Sequence, residues 1–162
     1  MFDSHCHLTD GRFDEDRAAV VDAALEAGVT RMVTVASDLE DTRAAADLAA
    51  GHPALWSTAG VHPHEVSEAG DTDLDAVRQL AATHPEVVAI GETGLDYFYA
   101  KEQRDWQRDR FIEHIRAARR TGLPLIIHTR GAKEDTLALL REHGEGEVRG
   151  VLHCFTEDLD MA

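Results

Sequence analysis

Lysine is nearly absent from this chain: of its 16 basic residues only Lys101 and Lys133 are lysines, against 31 acidic residues and a formal charge of −15. That balance argues against a broad electrostatic surface for nucleic acid, whose affinity comes mainly from cationic side chains neutralising phosphates. It leaves room for a phosphodiester held locally, where metal ions supply the positive charge. Long apolar runs are also missing. No stretch approaches the roughly 18 residues a membrane span needs, and the N-terminal MFDSHCHLTD has neither a basic nor an apolar leader segment, so the expected compartment is the cytoplasm, with no membrane partner. Cysteine is scarce: Cys6 and Cys154 lie far apart, fit neither a zinc finger nor a secreted disulfide framework, and are expected to be buried free thiols. No Walker A sequence occurs, and Gly91-Glu92-Thr93-Gly94 lacks the third glycine of a dinucleotide fingerprint. There is no low-complexity tract or linker, so residues 1–162 read as a single domain with 43% hydrophobic residues, enough for a real core.

Short apolar or β-branched runs alternate with helical patterns along the whole chain. Strands are expected at Met1–Ser4, Arg31–Ala36, Leu55–Val61, Val87–Glu92, Pro124–His128 and Gly150–His153. Helices are expected at Asp14–Ala27, Leu39–Ala50, Thr72–Ala82, Gln103–Arg120 and Lys133–His143, with Asp38 available as an N-cap and Gly28 and Gly122 as stops. In the fourth helix Phe111, Ile112, Ile115 and Ala118 form a stripe, and Trp106 is assigned with them to the core. Strict strand–helix alternation implies parallel strands, either in an open doubly wound sheet or in part of a barrel.

The histidines discriminate between the two. Of ten, six follow or end a predicted strand: His5 and His7, His62 and His64, His128, and His153; Glu92 ends the fourth. Side chains alternate along a strand, so Asp3, His5 and His7 share one face while Ser4 and Cys6 share the other. Glu92 closes an apolar run, and a buried carboxylate needs a cationic partner that no nearby lysine or arginine provides. In an open sheet ligands gather at one switch point, whereas in a closed barrel the C-terminal ends of all strands face one mouth. Residues from five strand ends therefore select an α/β fold of the (β/α)8 TIM-barrel type. Imidazole plus carboxylate donors point to Mg, Mn, Zn, Co or Fe rather than a thiolate-bound structural metal.

The motifs Asp3-Ser4-His5-Cys6-His7-Leu8, Gly60-Val61-His62-Pro63-His64, Gly91-Glu92-Thr93-Gly94-Leu95-Asp96-Tyr97, Ile127-His128-Thr129-Arg130 and His153-Cys154-Phe155-Thr156 resemble the ordered motifs of the TatD family of metal-dependent hydrolases. The resemblance runs from Met1 to the last residues. It implies a two-metal (β/α)8 hydrolase of DNA phosphodiester bonds in which His5 and His7 bind one divalent metal ion, Glu92 bridges both, and His128 and His153 bind the second. A further aspartate in a Glu-Thr-Asp motif, which the resemblance also implies, is absent from this sequence. Candidates for substrate contact or support of the ligands are His62, His64, Asp96, Tyr97 and Arg130: the histidines and Arg130 for phosphate, Tyr97 together with Phe98 for base stacking or packing, Asp96 for orienting its segment.

Six βα units in 162 residues average about 27 each, so the expected fold is an incomplete barrel with the last two units missing. Its open edges would favour self-association. Two other functions compete with DNA hydrolysis: hydrolysis of a small ester, amide or phosphoester, which the acidic charge suits, and an inactive truncated barrel fragment.

Overall fold

The computed structural model describes residues 1–66 and 71–162, with residues 71–73 through their backbone. Among the described residues there are six strands: β1 (Phe2–Cys6), β2 (Arg31–Thr34), β3 (Leu55–Ala59), β4 (Val87–Asp96), β5 (Leu125–Arg130) and β6 (Gly150–His153). Between them run α1 (Arg17–Glu26), α2 (Leu39–Ala50), α3 (Asp71–Thr83), α4 (Arg104–Thr121) and α5 (Lys133–Gly144). The strands form one parallel sheet in the order β1-β2-β3-β4-β5-β6. A doubly wound sheet would reverse its order at a switch point. The strictly sequential order is instead that of three-quarters of a (β/α)8 barrel, with β1 and β6 as its two edges.

Local chemistry explains most of the boundaries. The Asp38 side chain accepts from the Asp41 N–H at 2.8 Å and starts α2. Gly122, in the left-handed region at φ 71°, ends α4, and its N–H reaches the Ala118 carbonyl at 2.8 Å. The α4 stripe is buried as expected at Phe111, Ile115 and Ala118. Trp106 is not: it is 54% exposed. It lies one position before the buried Gln107, outside the spacing that leads through Phe111 and His114, so the helix turns its indole away from the sheet.

The largest departure from the expected strands is β4, which continues four residues past Glu92 to Asp96. The register against β5 slips between Ile90 and Thr93, so this stretch is bulged. Two glycines permit it. Gly91 sits at φ 143° and a side chain there would meet the Ile126 carbonyl at 2.5 Å; Gly94 sits at φ 132°, and a side chain would strike the His128 carbonyl oxygen. Strand β4 is almost entirely buried as a result.

The main core joins β3, β4 and β5 to α4 through Ala59, Ile90, Leu95, Phe111, Ile115 and Leu125. A smaller cluster joins Val21 of α1 to Met32, Ala49 and Leu55. Towards the edges the cover thins, leaving Phe2 56% and Val151 55% exposed. Cys6 packs against the smaller cluster and donates its thiol to the Val33 carbonyl at 3.2 Å; burial, helped by Asp3, pushes its pKa up to about 12, so it is a neutral packing residue. Cys154 is free but exposed, contrary to expectation, because β6 ends at His153 and the chain leaves the sheet there. Among the described residues no helix is long and apolar enough to cross a membrane.

Candidate metal centre

One carboxylate organises the mouth of the sheet. Glu92, 3% exposed at the bulge of β4, points one oxygen at His5 of β1 and the other at His62 and His128. His5 Nε2 lies 3.1 Å from Oε2, and His7 Nε2 lies 3.2 Å from His5 Nε2. The His7 ring is held from behind, since its Nδ1 donates to the Val35 carbonyl at 2.8 Å. That bond places its lone pair on Nε2, facing the site. Two imidazole nitrogens and a carboxylate oxygen thus converge on one point, a donor set that suits a divalent cation.

A second group forms around Oε1, with His128 Nδ1 at 3.2 Å and His62 Nε2 at 3.8 Å. The two histidines are held differently. His128 sits between carboxylates, its Nε2 donating to Asp96 Oδ2 at 3.1 Å, which leaves Nδ1 for the site. His62 accepts the His64 N–H on Nδ1 at 3.2 Å, so its neutral ring carries the proton on Nε2 and faces the site as a donor. The chemistry of the donors therefore fits His128 as a ligand and His62 as a hydrogen-bond donor.

His153 joins neither group. Its ring lies flat on that of His5, centroids 3.4 Å apart and planes 11° apart. In register, however, it stands directly beside His128, which in turn stands beside Gly94. His5, His7, His62, Glu92, His128 and His153 are therefore gathered at one end of the sheet from β1, the segment after β3, β4, β5 and β6.

Asp96, fully buried, ties this centre together. Oδ2 receives His64 Nε2 at 2.8 Å and His128 Nε2 at 3.1 Å, while Oδ1 accepts the N–H groups of Phe98 and Tyr99 at 2.9 and 2.8 Å. Tyr97 is turned away: its ring is largely buried and its hydroxyl donates to Asp135 on α5 at 2.6 Å. Arg130 lies with its guanidinium 5.2 Å from the centre of the Tyr99 ring.

Burial raises the pKa of Glu92, but hydrogen bonds from His128 and His5 outweigh it and hold the group well below the usual carboxylate range. Burial likewise works against ionised Asp96, and the Tyr99 N–H and His64 reverse it. His62 is pushed down to about 4 by burial, which keeps it neutral. For His128 the burial effect is overcome by Glu92 and Asp96, and its pKa is raised. Glu92 and Asp96 are therefore held ionised beside a neutral His62, and anionic oxygens are what a divalent cation requires of its ligands.

Two supporting residues on α4 were not legible as such in the sequence. Gln107, fully buried, accepts the Asp96 N–H at 2.7 Å and donates to the carbonyls of Asp96 and Ala100 at 3.2 and 2.8 Å. His114, also buried, accepts the Val61 N–H at 3.0 Å while its other nitrogen donates to the Arg110 carbonyl at 2.7 Å. Their seven-residue spacing puts both on the sheet-facing side of α4, one fixing the end of β4 and the other the segment that carries His62 and His64. A glutamine and a histidine inside an otherwise apolar helical stripe were the signal available.

A family model described as TatD related DNase matches residues 2–162. The chain belongs to this family. It is 36% identical over 162 residues to YabD of Bacillus subtilis, named a metal-dependent hydrolase, covering 100% of this chain and 63% of the relative. It is 42% identical over 161 residues to the 3′-5′ ssDNA/RNA exonuclease TatD of Musicola paradisiaca, covering 99% of this chain and 61% of the relative. Among solved structures, the TatD homologue YjjV of Escherichia coli superposes with a TM-score of 0.92 at 31% identity, over 100% of this chain and 62% of that one. This TatD-family chain thus spans about three-fifths of the length of the relatives it matches.

Proposed function

We propose that this protein hydrolyses phosphodiester bonds of single-stranded nucleic acid with divalent metal ions held at the mouth of the sheet. The observation that carries this is the gathering of His5, His7 and His128 around the two oxygens of one buried carboxylate, Glu92. In this assignment His5, His7 and Glu92 hold one ion, and Glu92 and His128 a second, which His153, beside His128 in register, would join by turning from the face of the His5 ring; the ions are of the Mg, Mn, Zn, Co or Fe class. Bound there, the ions would make water acidic enough to supply a nucleophile near neutral pH and would neutralise charge on the phosphoryl oxygens. The protein's own groups set the geometry. Val35 and Asp96 orient the His7 and His128 rings, His62 presents its Nε2 proton to a phosphate oxygen, and Arg130 and His64 flank the approach. The name of the Musicola relative supports a single-stranded substrate.

The formal charge of −15 favours a second substrate class, small phosphoesters, which need no extended basic surface. The free thiols Cys6 and Cys154 suit a reducing compartment and support a cytoplasmic location. The unpaired edges of β1 and β6, with Phe2 and Val151 exposed, support self-association of this chain. Metal content by mass spectrometry, followed by hydrolysis of a single-stranded oligonucleotide and of a small phosphodiester with and without chelator, tests the assignment. Chelator-sensitive cleavage of the oligonucleotide is expected; turnover of the small ester alone would select the second class, and a chain that binds no metal would overturn both.

A further inference from the structure

Immediately beyond the metal centre two large aromatic side chains stand in water. Phe98 is 60% and Tyr99 65% exposed, in a chain with only 6% aromatic residues. They are not loosely attached. Both backbone N–H groups are held by Oδ1 of the fully buried Asp96, whose other oxygen holds His64 and His128, and Gln107 clamps the Asp96 backbone from α4. The aromatic pair is therefore fixed in position by the same carboxylate that orients a proposed metal ligand.

The surroundings define what such a surface can take. Phe98 and Tyr99 meet edge to face, centroids 4.7 Å apart and planes 87° apart, so they form a corner with ring faces in two directions. Arg130, two residues after His128 on β5, brings its guanidinium to 5.2 Å from the Tyr99 ring centre, and the His64 ring lies 6.1 Å away on the side of the metal centre. A flat π-system seated on this corner would contact aromatic and guanidinium planes together, with its attached phosphate directed towards His64. Nucleobases have such faces only when unpaired; in a duplex they are covered by their neighbours. Affinity from stacking is also what this chain can supply. With 16 basic against 31 acidic residues it lacks the cations for extended phosphate neutralisation.

We propose that Phe98, Tyr99 and Arg130 form a stacking subsite for an unpaired nucleobase of a single-stranded nucleic acid lying next to the metal centre. This rests on the phosphodiester assignment above and makes the base, rather than the backbone, the source of affinity and of selection for single strands. Tyr97 has no part in it, since its ring is buried and its hydroxyl is committed to Asp135.

The test compares a single-stranded oligonucleotide carrying a terminal 2-aminopurine with an abasic strand of equal length and charge. Binding is measured by anisotropy without added divalent ion for the wild-type chain, Tyr99→Ala and Tyr99→Phe. The wild type is expected to hold the base-bearing strand roughly 5- to 150-fold more tightly than the abasic one. Tyr99→Phe should keep that ratio and the quenching of 2-aminopurine, while Tyr99→Ala should lose both and leave abasic binding unchanged. Equal affinity of the wild type for the two strands, including no binding of either, overturns the proposal. So does a Tyr99→Ala variant with an undiminished ratio. Hydrolysis is then assayed with Mn²⁺ on both strands: a base-dependent binding ratio without cleavage of either supports the stacking subsite and overturns the phosphodiester assignment, whereas cleavage of both with no binding ratio does the reverse.

Discussion

Strands β4 and β6 each bring a residue to the metal centre, from opposite surroundings. β4 is buried nearly throughout, and its two carboxylates are held from several sides, Glu92 by His5 and His128 and Asp96 by two histidines and two backbone N–H groups, while the Gln107 amide holds the Asp96 backbone. β6 is exposed at Gly150 and Val151, and His153 rests there on the face of the His5 ring. The centre is thus rigid on its β4 side, where second contacts fix each group, and lightly supported where the sheet ends. Precise placement of a ligand depends on what stands behind it, and α4 stands behind β4.

Substitutions can separate the two sides. The largest effect is expected for Glu92→Gln, which halves the charge of the buried carboxylate pair and takes one anionic oxygen from both donor groups: bound metal and hydrolysis should each fall at least about 100-fold, checked by mass spectrometry of the metal and by oligonucleotide cleavage. Gln107→Ala removes no proposed metal ligand but strips the Asp96 N–H and the carbonyls of Asp96 and Ala100 of their partner. It should cost roughly 2–4 kcal/mol in urea unfolding and weaken metal binding about 10-fold or more.

Acid should act on the rigid side through His114. Burial pushes this histidine down to about 4, from an ordinary value of 6.5. Between those values the unfolded chain binds a proton that the folded chain does not, so His114 contributes stability at pH 7 that is lost as pH falls from about 6.5 towards 4. The difference in unfolding free energy between wild type and His114→Gln should therefore shrink by roughly 2–3 kcal/mol from pH 7 to pH 4.5, measured by urea titration at both pH values. At the other end of the comparison, Val151→Lys on the exposed edge should change stability by no more than about 0.5 kcal/mol while shifting sedimentation towards monomer. An unchanged sedimentation profile would argue that the β6 edge is not where copies meet.

Much of the fold was readable because its signals are local. Each βα period announces itself through an apolar run, a helical stripe and a cap such as Asp38 or Gly122, and histidines placed at strand ends are informative wherever strands are parallel. The misreadings came where a partner distant in sequence decides. β4 extends to Asp96 only because Gly91 and Gly94 let its bulged backbone close on β5, so the sequence suggested a strand ending at Glu92. Trp106 was assigned to the core on its apolar character, and the rotation of α4 put Gln107 there instead. Cys154 followed the burial habit of cysteine until the edge position of β6 exposed it.

From its residues alone the chain commits itself to parallel βα units and to a set of imidazoles and one carboxylate at the ends of strands, since alternation and helical periodicity act within a few residues. Which nitrogen each imidazole turns inward is another matter. His7 depends on the Val35 carbonyl, His128 on Asp96, and His62 on the N–H of His64, and the exposed corner of Phe98 and Tyr99 depends on the buried carboxylate of Asp96, whose backbone Gln107 holds from a different element. Hydrogen bonds are short-ranged and directional, so the partner that selects a tautomer or fixes a ring exists only once the sheet and α4 have packed together.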